Sequence, residues 1–346
     1  VSGEIPNPEP TPHRRRPRYA GKYPRRFEEK YKELAPEKYP DTVAKVISSG
    51  KTPAGAHLPI MVREILDLLA PRPGATIVDC TLGYGGHARE ILPLLQPGGH
   101  LLGLDVDPVE QPRTEARLRA LGFGPETLRV RRSNFAGLPA ALAAESLPGA
   151  DGILADLGVS SMQIDTPARG FSVKHPGPLD MRMNPGRGQP ASALLARLPA
   201  DALADLLREN ADEPRAPMLA ERLAGRNFAL TTDLAAAIRG ALPDVSEEDR
   251  DRSVRRVFQA LRIAVNEEFT ALDTLLRHLP ECLNPGGRVA ILTFHSGEDR
   301  RVKKAFQAAH REGRYTRIAG EVIRASAEEC RANPRATSAK LRWARR

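Results

Sequence analysis

The stretch Asp79-Cys-Thr-Leu-Gly-Tyr-Gly-Gly-His87 decides how the chain is read, because of what stands on either side of it. Before it, residues 75–78 form a short apolar run entered from Pro71-Arg-Pro-Gly74, the pattern of a buried strand following a turn. After it, residues 87–95 have the apolar spacing of a helix. A strand that passes through glycines into a helix is where a doubly wound sheet receives its ligand, since glycine lets the backbone come close. Gly83, Gly85 and Ala88 match the G-x-G-x-x-G/A spacing of nucleotide-binding turns, a weak signal without context.

Working outward, a second apolar strand over 100–104 ends at Asp105, a third is expected over 128–132, and a fourth over 152–155 ends at Asp156. Helical stretches separate them, and such alternation argues for a parallel α/β sheet. A carboxylate at the position of Asp105 can accept both hydroxyl hydrogens of an adenosine ribose, which suits NAD and S-adenosylmethionine alike. Asp79, just before the glycines, resembles the D/E-x-G-x-G-x-G element of class I methyltransferases, with Thr81 in place of the first glycine. The expected fold is therefore α/β, a class I (Rossmann-like) S-adenosylmethionine-dependent methyltransferase with an inserted helical domain. An NAD-dependent oxidoreductase using the same turn stays open as an alternative. In a sheet of this order strand four ends beside strand one, so Asp156 is placed where cofactor and acceptor meet. It is a candidate for catalysis, or for cofactor binding alone.

Between about 161 and 251 no strand pattern occurs. A loop rich in Gly, Pro and Met, Arg169 to Met183, precedes helical stretches over 201–209, 218–225 and 232–242, the last opening on capping-type Thr231 and Thr232. The sheet pattern resumes with a long helix whose Val254, Val257, Phe258, Leu261 and Val265 share one face. A Pro285-Gly-Gly287 turn then leads into a strand over 288–294. The organisation expected is a Pro-rich basic arm over 1–50, partly disordered, a methyltransferase domain over 57–160 and 252–346, and a helical substrate-recognition insertion over 161–251. His295 and Ser296, just past the last strand, are candidate contacts to an acceptor base, with a purely structural strand-end histidine as the competing reading.

The net charge of +9 is concentrated at the two ends. Residues 1–56 hold 12 Lys/Arg against 7 Asp/Glu and residues 300–346 hold 14 against 4, while the stretch between them is mildly acidic. Basic ends around an acidic middle suggest contact with a polyanion, although a solvated surface has the same charge. The 3 cysteines lack the paired spacing of a zinc site or disulfide framework, so no metal and a reducing, cytoplasmic setting are expected. No apolar run reaches the roughly 18 residues of a membrane span.

Several strings together resemble the ribosomal RNA small subunit methyltransferase H family. They are His57-Leu-Pro-Ile-Met, Gly85-Gly-His87, Asp156-Leu-Gly-Val-Ser-Ser161, Arg169-Gly-Phe-Ser, Gly177-Pro-Leu-Asp-Met-Arg-Met183, Phe258 through Asn266, Phe294-His-Ser and Asn333-Pro-Arg335. The resemblance implies a 16S rRNA cytosine-N4 methyltransferase acting in the decoding region. It places the S-adenosylmethionine contacts on Gly85, Gly86, His87, Asp105, Phe135, Asp156 and Gln163. The partner implied is 16S rRNA in the small ribosomal subunit, with no membrane, and a homodimer is left open. A noncatalytic RNA-binding or ribosome-assembly protein of the same fold is the further alternative. Residues 1–50 read as an addition to the family. The chain departs from it at Tyr84, at Gly297 where a leucine is usual, and over 249–256 where a His-Pro pair is common.

Overall fold

The computed structural model describes residues 59–346, which fall in the second of two units into which the chain divides, 1–56 and 57–346. The arm expected over 1–50 lies outside the described residues. Seven strands form one sheet: β1 (Thr76–Asp79), β2 (His100–Asp105), β3 (Leu128–Arg132), β4 (Ala150–Asp156), β5 (Leu283–Thr293), β6 (Arg317–Ile318) and β7 (Lys340–Arg345). Their order is β3-β2-β1-β4-β5-β7-β6. The first five are parallel, whereas β7 runs antiparallel between β5 and β6. That reversed strand separates this sheet from the all-parallel 3-2-1-4-5-6 order of the dinucleotide fold and gives the class I methyltransferase arrangement expected from the glycine turn.

The apolar runs follow from burial on both faces of the sheet. Successive strand residues point to opposite sides. Val78, Leu102, Leu104, Ile153, Val289 and Ile291 meet one helical layer, while Ile77, Leu101, Leu154, Ala290 and Leu292 meet the other. In chain order the helices are α1 (Val62–Leu69), α2 (Gly86–Ile91), α3 (Glu110–Ala120), α4 (Leu138–Ala144), α5 (Ser161–Asp165), α6 (Ala191–Arg197), α7 (Ala200–Ala211), α8 (Ala216–Leu223), α9 (Thr231–Gly240), α10 (Glu247–Asn266), α11 (Glu268–Cys282), α12 (Ser296–Arg311) and α13 (Ala327–Ala332). Among the described residues none is long and apolar enough to cross a membrane.

Helices α6 to α9 pack with α10 around a core of their own that includes Leu195, Leu207, Leu219, Leu234 and Ile238. Here three expectations need correction. Val254, Val257, Phe258 and Leu261 of α10 belong to this helical core and not to the sheet. Thr231 does not cap α9: Leu230 holds the cap position with no side-chain bond, and the Thr231 hydroxyl instead donates to the His175 carbonyl at 3.4 Å. The long helix is also two helices. Glu267, left-handed at φ 51°, ends α10, and α11 turns back onto the sheet.

Candidate functional site

A cavity of about 390 Å³ opens at the carboxyl ends of β1, β2 and β4, lined among others by Gly83, Asp105, Phe135, Asp156, Met183 and Arg262. This is the point where the strand order reverses direction about β1, the usual ligand crevice of an open α/β sheet. Its size lies within the range of small-molecule sites.

The glycine turn is stitched to both neighbouring strands. Cys80 N–H donates to the Leu154 carbonyl and Leu82 N–H to that of Leu104, each at 2.8 Å. Asp79 is buried beneath the turn, and its Oδ1 accepts from Thr81 N–H at 3.0 Å. Burial pushes its carboxyl up to about 6. Thr81, the departure from the glycine pattern, has its own work: its Oγ1 accepts from Asp156 N–H at 2.7 Å and fixes the end of β4. Gly83 lines the cavity, and its N–H donates to Asp105 Oδ2 at 2.7 Å. Gly85 does not line it. At φ 80° it starts α2, and a Cβ there would come within 2.9 Å of Thr114, so this glycine serves the turn and the close packing of α3. Gly86 does line the cavity, with Pro59 against it.

Asp105 keeps lone pairs for a ligand after accepting from Gly83 and from Asp107 N–H at 2.8 Å. Burial holds its carboxyl above the usual range. Phe135, in the short turn of helix after β3, forms another part of the wall. Gln163 reaches the cavity, but most of its amide is already engaged. Its Oε1 accepts from Ser160 N–H at 3.0 Å and its Nε2 donates to Asp107 Oδ2 at 2.9 Å. The same Asp107 oxygen takes Arg169 Nη1 at 2.7 Å. Burial works against the Asp107 charge, yet Gln163, Arg169 and the Val109 N–H hold its carboxyl below the usual range. Arg169 then donates through Nη2 to the carbonyls of Arg182 and Met183, pinning the Gly/Pro/Met loop to the cavity. Asn266, at the end of α10, pins the loop from the other side: Oδ1 accepts from Met183 N–H and Nδ2 donates to the Met181 carbonyl.

Asp156 differs from these carboxylates. Its side-chain oxygens accept no hydrogen bond among the described residues, and the side chain is 28% exposed, into the cavity. Burial, with Glu298 adding repulsion, pushes its carboxyl up to about 7. His87 stands behind it with Nδ1 3.8 Å from Oδ2. Its Nε2 lies 3.0 Å from the Ile60 carbonyl, an acceptor, so Nε2 carries the hydrogen and the Nδ1 lone pair faces Asp156. Burial keeps this imidazole below its ordinary pKa.

His295 and Ser296 are not among the cavity walls, although their neighbours Phe294 and Glu298 are. His295 caps α12, its Nδ1 accepting from Glu298 N–H at 3.4 Å, and Ser296 Oγ donates to Asp212 Oδ2 at 3.0 Å. Sequence reasoning missed Arg262, Asn266, Glu268 and Phe269, which line the cavity from the α10–α11 junction. The signal was present, since Arg262 and Asn266 stand one helical turn apart within the string Phe258 to Asn266.

A model described as the MraW methylase family matches residues 54–346. The chain is 49% identical over 341 residues to a protein of Agathobacter rectalis named ribosomal RNA small subunit methyltransferase H 1, covering 96% of this chain and 97% of that one. It is 52% identical over 339 residues to ribosomal RNA small subunit methyltransferase H 2 of Alkaliphilus metalliredigens, covering 95% and 97%. A Synechococcus relative named ribosomal RNA small subunit methyltransferase H is 42% identical and covers 84% of this chain and 95% of its own length. Coverage of 95% and 96% extends into residues 1–50. The arm, read above as an addition, is thus shared with these two relatives.

Proposed function

The chain belongs to the MraW methylase family, and on that premise we propose that it transfers the methyl group of S-adenosylmethionine to N4 of a cytosine in the decoding region of 16S rRNA. It is an S-adenosylmethionine-dependent rRNA methyltransferase. The oxidoreductase alternative falls with the family and with the reversed strand β7. The observation that carries the reading at the level of the site is Asp156, a carboxylate with no hydrogen-bond donor among the described residues, at the reversal point of the sheet and facing a cavity shared with Asp105.

When bound, the cofactor supplies an electrophilic methyl on a sulfonium. Asp105 would hold the ribose hydroxyls and Phe135 would lie beside the adenine. The backbone of Gly83 and Gly86 would let the remainder approach. Gly85 acts one step back, through the turn, while His87 and Gln163 share the cavity wall and also support Asp156 and Asp107 respectively. A cytosine amine is a poor nucleophile because its lone pair is delocalised into the ring. Positioning therefore supplies much of the rate, and Asp156 accepts a hydrogen bond from N4 as that nitrogen pyramidalises. The departing proton goes to the same carboxylate, whose pKa lies near neutrality, as suits an acid–base group. The helical unit over 161–251 serves as the recognition domain beside the methyltransferase halves over 57–160 and 252–346. The basic arm contributes phosphate contacts. An rRNA substrate supports a cytoplasmic site of action.

Mass spectrometry of 16S rRNA incubated with the protein and donor is expected to show one N4-methylcytidine, and a methyl on any other atom overturns the reading. In Asp156→Asn, donor affinity by calorimetry is expected to hold while turnover falls by about 10²–10⁴-fold. Lost donor binding with a normal single-turnover rate would make Asp156 a cofactor ligand only.

A further inference from the structure

Resting on the cytosine reading above, we infer that Arg262, clamped by Glu268, reads the ring edge of the target base while Asp156 accepts from its amine. Arg262 lies in the last turns of α10, and the left-handed Glu267 that ends this helix sets Glu268 against it. The grip is two-pronged: Nε donates to Oε1 at 2.8 Å and Nη2 to Oε2 at 2.9 Å. Glu268 thereby fixes the guanidinium plane, as an Arg–carboxylate fork does. It leaves three N–H donors, two on Nη1 and one on Nη2, with no acceptor among the described residues, on a side chain that is 16% exposed and lines the cavity. A largely buried guanidinium that uses only part of its donors within the protein can offer the rest to a ligand in the cavity.

The fold does not need those donors. The loop over 169–183 is pinned by Asn266 and Arg169, and the Arg262 contribution there is only its backbone carbonyl, which accepts from Asn266 Nδ2. Glu298 links the two proposed readers electrostatically. Its charge bears on Asp156, and against the push of burial its own carboxyl is held below the usual range by His295 and Arg262.

The chemistry of the base matches. Along one edge cytosine offers a donor at N4 followed by acceptors at N3 and O2. A carboxylate and two guanidinium N–H groups, one on each Nη, on the walls of one cavity offer the complement. Uracil would turn a carbonyl toward Asp156 and an N–H toward Arg262. Adenine has an amine and one ring acceptor but carries a C–H where cytosine has O2, so one desolvated donor stays unpaired. Enzymes that act on an extruded base read this edge in the same manner.

The test is a double-mutant cycle between enzyme and substrate, using small-subunit particles reconstituted with 16S rRNA that carries cytidine or 3-deazacytidine at the target. Any intrinsic change in amine reactivity is common to every enzyme and cancels. On cytidine, Arg262→Ala is expected to lower kcat/KM by roughly 10- to 100-fold. On 3-deazacytidine the Arg262→Ala loss is expected to shrink to a few-fold, because the N3 contact is already gone. A loss as large on 3-deazacytidine as on cytidine overturns the inference. Calorimetry with S-adenosylmethionine reports whether the fold is intact. If Arg262→Ala does not bind the donor, Arg262→Lys, which keeps the charge and loses the fork, decides by the same cycle. Failure of the underlying function is separate, since the wild type would then form no N4-methylcytidine on the unmodified particle.

Discussion

Asp156 is ionised against its surroundings. Its folded-state carboxyl is pushed up to about 7 by burial and by Glu298, whereas an unfolded chain titrates at about 3.9. The folded protein therefore holds this proton more tightly, which contributes stability that is complete below the unfolded value and is lost as pH rises through about 7. Asp156→Asn removes that cost, so its Tm is expected to exceed the wild type's by a few degrees at about pH 8, with the gain shrinking toward about pH 4. An unchanged Tm at the higher pH would show that the carboxylate is not desolvated. The position of Asp156, like that of Asp105, was legible because strand-end acids follow apolar runs. What individual side chains touch was less so. Gly85 sits within the right string yet is off the cavity wall, since a string does not say whether a residue faces the ligand or holds a neighbour that does. His295 and Ser296 show the same limit: one caps α12 and the other ties that helix to Asp212. Gly297, where the family usually has leucine, leaves no room, since a Cβ would come within 2.7 Å of Phe269.

At the scale of elements, the loop over 169–183 is held by side-chain anchors and by close glycine contacts. Gly170, at φ 76°, and Gly177 would each drive a Cβ into backbone, at 2.3 Å from the Pro178 carbonyl oxygen and 1.9 Å from that of Pro167. Arg169 is its internal anchor, with Asp107 only 1% exposed on the other side of the pair. Arg169→Ala leaves that charge to Gln163 and the Val109 N–H, so a loss of about 1.5–3 kcal/mol is expected in urea unfolding. Arg169→Lys should keep much of the stability through Asp107 but free the carbonyls of 182 and 183. Hydrogen exchange at the amides of 181–183 is then expected to quicken, and exchange no faster than in the wild type would show that the carbonyl contacts do not hold the loop. Strands β1, β2 and β4 were readable because burial on both faces makes continuous apolar runs, while β3, at the edge of the sheet, keeps only Leu128 and Val130 between arginines. The break between α10 and α11 was not, because Glu267 takes its left-handed turn without the glycine that normally announces one. β6, with 2 residues, carries no pattern at all.

For the molecule as a whole, α10 belongs to two places. Its middle buries Val254, Val257, Phe258 and Leu261 in the helical core, and its end delivers Arg262 and Asn266 to the cavity. A cut at residue 251 divides what the packing joins. Deleting 161–251 and bridging the gap with a short glycine linker is expected to give a protein that binds a hydrophobic dye and aggregates, because about 1.5–3 kcal/mol of burial per large side chain is withdrawn from that face. A monodisperse product that still binds S-adenosylmethionine would show that the sheet and its helices tolerate a bare α10. The charge pattern also looks different once folded. Of the basic residues after 300, Arg300, Arg301, Arg314, Arg335, Lys340 and Arg342 pair with acids of the same chain, so less of the C-terminal excess is left for a polyanion than composition suggests. The reversed strand β7 has a temporal meaning too. It fills the gap between β5 and β6, with Ala290 opposite Trp343 and Arg317 opposite Arg345. During synthesis, β5 must leave the exit tunnel long before the strand that covers its edge. For that interval the nascent chain presents an open, apolar edge to its surroundings. A protein that methylates rRNA thus depends on a ribosome to deliver β7 before its own sheet can close.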